Sequence, residues 1–551
     1  MPEKPSFNVA RFLRESAERV PANCAVRTPR GRAPDGSLRY DELTFAALDR
    51  VTAATAALFR SRGIGAGTRV LLMARPGTDL ILCAFALFRL AAVPVAIDPG
   101  MGLKSFLRCV QKTAPEALVG IPLAQWARRI FFRKFASVKI AVTVGTRAFA
   151  DEVQRRSRDA ALPLEIAPAE ENRLAAILFT SGSTGAPKGV CYTHGIFDAQ
   201  RKIVRDFYGI SPGEIDLPLL PIFALFDPAL GMTMVTPEMN PSKPATLDPA
   251  KIVQAIRQNN VTNSFGSPIL WRKIAEYCDA RGETLPTLRR VLCAGTAVHP
   301  SLVALLKKVL PNAEFHSPYG ATENLPVSDI SGDEVLSATG TLTVHGRGTC
   351  TGKILPQNRV RIIPAIDGAI ATFDEIAPLA AGVPGEICVC GPTTTHAYFN
   401  DVPATEAAKI RDGADGSIWH RMGDLGYIDS AGKLWFLGRK AERVETAAGT
   451  LFTEACEPIF NTHADVFRTA LIGLGARGNE TPAIVVELRA GTPRKRIPAI
   501  LRELRAMAQQ NDTTRAIEHF FVYPKRFPVD VRHNAKIHRL TLKKYYEKRG
   551  G

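Results

Sequence analysis

Thr180-Ser181-Gly182-Ser183-Thr184-Gly185-Ala186-Pro187-Lys188-Gly189 is the stretch on which the reading of this chain turns. It holds three glycines, four hydroxyl side chains and one lysine. The run before it, Leu174-Ala175-Ala176-Ile177-Leu178-Phe179, predicts a short buried strand. The glycines and hydroxyls therefore fall in a loop at a strand's end. Such a loop offers a polyphosphate backbone N–H groups, short O–H donors and one cation. Glycine lets the backbone come close, with no Cβ in the way. A Walker A loop is excluded, because that motif needs Gly-Lys-Ser/Thr at its end, and here Pro187 precedes the lysine and Gly189 follows it. The alternative is a plain Gly/Ser turn. Ten chemically coherent residues argue against it.

The string resembles the phosphate loop of the adenylate-forming enzymes: acyl-CoA synthetases, peptide-synthetase adenylation domains and firefly luciferase. That resemblance implies activation of a carboxylic acid by ATP, giving an acyl-adenylate and pyrophosphate. It implies an α/β fold in two parts: a large N-terminal layered α/β domain, residues 1–438, and a small mobile C-terminal α+β domain, residues 439–551, with the hinge at 438–441. Strand and helix patterns alternating up to about residue 175 agree with a layered, mainly parallel sheet.

The remaining motifs lie where the resemblance puts them. Thr180, Ser181, Gly182, Ser183, Thr184, Gly185 and Lys188 are expected to hold phosphate. Gly295, Thr296 and Ala297, in a strand-and-glycine turn, are expected to flank adenine. In Ser317-Pro318-Tyr319-Gly320-Ala321-Thr322-Glu323 the resemblance implies that Tyr319 stacks on adenine, Thr322 contacts phosphate and Glu323 holds Mg²⁺. An aromatic face suits a purine, and a hard carboxylate suits Mg²⁺ between phosphates. Ser317, Gly320 and Phe436 complete the expected nucleotide set. Asp424, in His420-Arg421-Met422-Gly423-Asp424-Leu425-Gly426, is expected to accept from the ribose hydroxyls, with Met422 where the family has threonine. Arg439 is a ribose or phosphate contact. Phe223 and Phe226, in an apolar run ending at Asp227, are expected to line the acyl pocket, with core packing as the alternative. Lys536 matches the family's terminal-loop lysine, with Ala535 in place of the usual glycine. A lysine there offsets charge as the acyl–phosphate bond forms. His194 is a candidate base, or else structural.

The chain departs from the thioester-forming members. Its hinge carries Ala441 instead of Asp or Lys. Glu445 and Ala448 stand where those enzymes wall the pantetheine channel with lysine and glycine. The ending Asp530-Val531-Arg532-His533-Asn534-Ala535-Lys536-Ile537 resembles the β-lactone synthetases of bacterial long-chain olefin formation. In that group a 2-alkyl-3-hydroxy fatty acid is adenylated, and its own β-hydroxyl then expels AMP. His194 and His533 are the candidates for taking the hydroxyl proton. Two other readings stand beside this one: a long-chain fatty acyl-CoA or acyl-AMP ligase, and a non-catalytic acyl- or nucleotide-binding subunit.

Composition sets outer bounds. A chain of 551 residues exceeds one core. The net charge of +17 is compatible with an anionic partner, but no nucleic-acid motif accompanies it. Ten scattered cysteines without metal spacing fit buried thiols in a reducing cytoplasm. The N-terminus is no signal peptide. The apolar run Leu80 to Ile97 is broken by Arg89 and Pro94, which predicts a buried helix over 78–90 and a strand over 92–97. Residues 121–139, with Trp126, Arg128, Arg129, Phe131, Phe132, Arg133 and Lys134, are basic and aromatic. They predict either contact with a membrane surface or a partner enzyme of the pathway, or a surface helix packed by its apolar side.

Overall fold

The computed structural model describes residues 6–180, 187–240, 243–529 and 536–549. The decisive loop's Ser181 to Ala186, and Asp530 to Ala535 with the histidine candidate His533, lie outside the described residues.

A six-stranded sheet carries the strand before the loop. Its order is Ile140–Thr143, Ala117–Gly120, Arg69–Met73, Val93–Ile97, Leu174–Thr180 and Lys188–Thr193. The first five strands run parallel; the last turns back, pairing Thr180 with Lys188. The buried strand expected over 174–179 is present, and its partner begins at the motif's lysine.

A second sheet runs parallel in its middle and antiparallel on both flanks. Asn263–Gly266, Arg290–Cys293 and Glu314–Ala321 lie side by side in that parallel centre. Gly295, Thr296, Ala297, Thr322 and Glu323 therefore all leave the carboxyl ends of neighbouring parallel strands, the edge at which open α/β sheets bind ligands.

Beyond Arg439 the chain builds a three-stranded sheet of Val466–Leu474, Thr481–Leu488 and His519–Val522. Leu471, Ile484 and Val486 pack on one face with Ile500 and Leu504. Ala470, Ile472, Ala483 and Val485 pack on the other with Leu542 and Tyr546. The period-two alternation thus buries both faces, each under a helix.

The apolar run at 80–97 resolves into the helix Thr78–Arg89 and the strand Val93–Ile97. Arg89 is 1% exposed, and its Nη1 and Nη2 both donate to Asp49 Oδ1 at 3.0 Å. A buried guanidinium demands such a partner. Among the described residues no helix is long and apolar enough to cross a membrane. The alanine-rich pattern predicts one helix opened by Tyr40–Thr44 and running to Arg62, but Tyr40 to Thr44 belongs to the strand Leu38–Thr44, paired with Cys24–Arg32. The helix is Phe45–Ser61, and the Thr44 side chain accepts from Ala47 N–H at its start. Cross-strand pairing overrides the local pattern here.

The segment 121–139 forms the helix Pro122–Ile130 and a 3₁₀ turn, Phe132–Phe135. Ala124, Phe135 and Val138 pack down with Ile121 and Phe131 against them, but a second apolar set faces outward. Within the helix only Ala124 is buried, while Leu123, Trp126, Ile130 and the adjacent Phe132 are 66, 61, 47 and 64% exposed.

Candidate active site

Three groups of predicted residues meet along the carboxyl edge of the parallel strands. The first lines a cleft of about 390 Å³, walled by Gly295, Thr296, Ala297, Phe436, Arg439 and Lys536. Gly295 has φ +105°, a backbone conformation that L side chains rarely adopt. Lys536 comes from the far end of the sequence. Val529 and Ile537 pair across the segment before it, and His538 N–H donates to the Pro528 carbonyl at 2.8 Å. Arg539, three residues on, forms ion pairs with Glu442 and Glu457, each at 2.7 Å. Those pairs anchor the Lys536 segment against the chain just beyond Arg439.

At the edge of this cleft Tyr319 O–H donates to Asp424 Oδ2 at 2.7 Å, and Arg439 Nη1 sits 2.8 Å from Asp424 Oδ1. The Tyr319 and Phe436 rings are 6.0 Å apart. Burial raises the Asp424 pKa, while Arg439, Tyr319 and Lys536 act against the rise. A flat aromatic, a carboxylate and a guanidinium thus share one wall. Gly320 is obligatory in that wall: a Cβ there would meet the Asn324 carbonyl at 2.7 Å. Ser317, in the same strand, pairs with Ile330.

The second group surrounds Glu323. Its Oε1 accepts from Tyr398 O–H at 2.6 Å, and Lys188 Nζ lies 4.8 Å over the Tyr398 ring. Lys409, buried nearby, donates to the Thr395 carbonyl. Burial lowers its pKa to about 7, against a raising influence from Glu323. The Thr322 carbonyl accepts from Tyr192 O–H at 2.5 Å. The sequence reading missed Tyr398 and Lys409, which lie 75 and more residues after Glu323 and carry no motif of their own. Among the described residues no cluster of three or more His, Cys, Asp or Glu could hold a metal.

The third group is an apolar cavity. Phe223 and Phe226 line it with Phe265, Leu292, Pro318 and Leu325. Phe223 stacks on Phe265 with centroids 3.9 Å apart. Pro318 and Leu325 flank Tyr319 and Glu323 in sequence, so this cavity adjoins the other two groups.

His194 is not brought to any of them. It is fully buried at the start of the helix His194–Phe207, where Nδ1 accepts from Val9 N–H at 3.2 Å. Burial, with a smaller push from Arg173, lowers its pKa to about 4. The structural alternative is the one its surroundings favour. Glu445, which stands where the thioester-forming members have lysine, accepts from Arg443 and Arg477 at 2.8 and 2.9 Å, so its charge is compensated.

The AMP-binding enzymes match over residues 13–399. The chain belongs to that family. Olefin β-lactone synthetases of Xanthomonas campestris pv. campestris and Stenotrophomonas maltophilia are each 46% identical to it. The first match covers 97% of this chain and 96% of the relative; the second covers 97% of both. A 4-chlorobenzoate–CoA ligase of Arthrobacter is 27% identical over 83% of this chain and 81% of its own. Among solved structures, the anthranilate CoA ligase AuaEII in complex with anthranoyl-AMP superposes with a TM-score of 0.80 at 16% identity, covering 100% of this chain and 99% of that one. The amide bond synthetase McbA of Marinactinospora thermotolerans gives 0.79 at 22%, covering 98% and 99%. This AMP-binding chain has the adenylate-forming fold, as its sequence implied.

Proposed function

We propose that this protein is a β-lactone synthetase. It converts a 2-alkyl-3-hydroxy fatty acid and ATP into a β-lactone, AMP and pyrophosphate. The observation that carries the reading is near full-length 46% identity to two olefin β-lactone synthetases, in a chain whose Lys536, Asp424, Tyr319 and Arg439 converge on one cleft. In the first step the acid's carboxylate oxygen bonds to the α-phosphorus and pyrophosphate leaves. Lys536 offsets the charge that gathers between the two anions. Tyr319 and Phe436 receive adenine, while Asp424, held by Tyr319 and Arg439, accepts from the ribose. The loop Thr180 to Gly185 with Lys188, and Thr322, take the phosphates. Glu323 suits Mg²⁺, since one carboxylate is what Mg²⁺ asks of a protein when phosphate oxygens and water supply its other ligands. In the second step the β-hydroxyl oxygen bonds to the acyl carbon as its bond to AMP breaks, and the hydroxyl proton is lost. An internal nucleophile can reach an effective molarity no free thiol attains.

Residues 439–551 act in this reading as a lid that brings Lys536 to the cleft. ATP as substrate and ten free cysteines fit a cytoplasmic enzyme. Substrate and product are both lipids. The outward apolar stripe Leu123, Trp126, Ile130 and Phe132 serves as contact with an anionic lipid surface. Residues 99–150 around it hold nine Lys and Arg against one acid, Glu116.

ATP–pyrophosphate exchange tests the first step. Exchange is expected with 2-alkyl-3-hydroxy fatty acids in the absence of CoA. Exchange absent with every such acid would return the protein to a binding role. A second reading, acyl-CoA ligase, rests on the fold it shares with AuaEII.

A further inference from the structure

Two buried carboxyls lie in the wall of the apolar cavity, and the chemistry above uses neither. Asp216 ends the short strand Ile215–Asp216, and Asp227 lies in the short helix Phe226–Leu230. Each is 3% exposed. Asp216 Oδ1 accepts from Asn263 Nδ2 at 2.5 Å. The two carboxyls act on each other's titration at close range. Burial pushes both pKa values upward.

Asp227 Oδ2 is buried with no donor from the surrounding described residues. The other polar groups nearby are engaged. Gln200 Nε2 donates to the Leu325 carbonyl at 2.9 Å, and Tyr208 O–H to Asp329 at 3.1 Å. Arg290, whose charge acts on Asp216, is paired with Glu214 at 2.7 Å and donates to Asn263 at 3.2 Å. Among the described residues no cation forms an ion pair with either carboxyl. An acceptor buried against phenylalanines without a donor is left paying its desolvation with nothing in return. A pocket built for hydrocarbon alone has no use for it. A pocket whose ligand brings an O–H does.

We propose that Asp227, backed by Asp216, is the subsite for a hydroxyl on the acyl substrate, with the hydroxyl donating to Asp227 Oδ2. Resting on the β-hydroxy acid reading, this makes that hydroxyl a recognised group as well as the later nucleophile. A site built to bond an O–H discriminates against the analogue that lacks it, because its own polar group is then left unpaired. Asp227 is thus a specificity-determining residue, and the cavity selects hydroxy acids before any bond forms.

The test is single-turnover pyrophosphate release at limiting acid, comparing a 2-alkyl-3-hydroxy fatty acid with its 3-deoxy analogue. Wild-type protein is expected to favour the hydroxy acid at least tenfold. Asp227→Leu is expected to bring the two rates within about threefold, chiefly by accelerating the deoxy acid. If that variant does not melt cooperatively, Asp227→Val, which also removes the acceptor, is read by the same ratio. A folded variant that retains the wild-type preference overturns the proposal, as does a wild type without preference. Product mass separates this claim from the larger one. A CoA thioester with an Asp227-dependent preference keeps the subsite and refutes the lactone. A lactone with a preference indifferent to Asp227 does the reverse.

Discussion

Lys536 is the residue on which adenylation rests most heavily in this account. It reaches the cleft from the chain's last tenth, and its charge acts on Asp424. Lys536→Ala is expected to lower acid-dependent pyrophosphate release by about 10²–10³-fold, the usual cost of one transition-state charge partner. The melting curve should be unchanged, and wild-type release from the variant would remove the lysine from its assigned role. His194 yields a prediction of the opposite kind, on stability. Its folded pKa, about 4, lies below the ordinary value of 6.5, because burial disfavours the imidazolium. The unfolded chain therefore takes a proton first as pH falls. Stability from this residue is whole above pH 6.5 and drains away towards pH 4, by on the order of 3 kcal/mol. His194→Gln can still accept from Val9 N–H and does not titrate. The wild type should thus lose stability relative to the variant between pH 6.5 and 4.5 in denaturant titrations. A gap independent of pH would mean the imidazole does not feel its burial.

At the scale of elements, local motifs and long-range neighbours part company. The strand before the phosphate loop and the helix and strand of residues 78–97 were legible, because each is written in a contiguous apolar run. The convergence of Tyr319, Asp424 and Arg439 was legible only through resemblance. Nothing in the spacing of 105 residues between Tyr319 and Asp424 announces a 2.7 Å hydrogen bond. Tyr398, Lys409 and the Asp216–Asp227 pair were invisible for the same reason: neighbours are chosen by strand order, not by sequence distance. The 121–139 segment was ambiguous, since its amphipathic pattern fits either orientation, and burial divides it: Ala124 and Phe135 face the core while Leu123, Trp126, Ile130 and Phe132 face outward. That orientation predicts sedimentation with vesicles rich in phosphatidylglycerol. Replacing Leu123, Trp126, Ile130 and Phe132 with Ser should abolish it, as should high salt, with the melting temperature preserved. Binding to neutral and anionic vesicles alike absent in the wild type would leave the stripe to another protein surface.

Across the whole molecule, the question is what the activated acyl group meets next. A thioester-forming relative must admit a long thiol past the junction of its two parts. Here the junction carries Ala441, Glu445 and Ala448, and Glu445 is committed to Arg443 and Arg477. Those pairs leave Glu445 with neither the charge nor the reach of the lysine that those relatives carry there. The β-hydroxyl needs no channel, only a pocket that keeps it beside the acyl carbon. The most direct measurement is the mass of the product formed from a 2-alkyl-3-hydroxy fatty acid with ATP and Mg²⁺, with and without CoA. The account predicts a product one water lighter than the acid, one AMP for each, and no dependence on CoA. A thioester formed only when CoA is present, with no dehydrated product in either case, would contradict it.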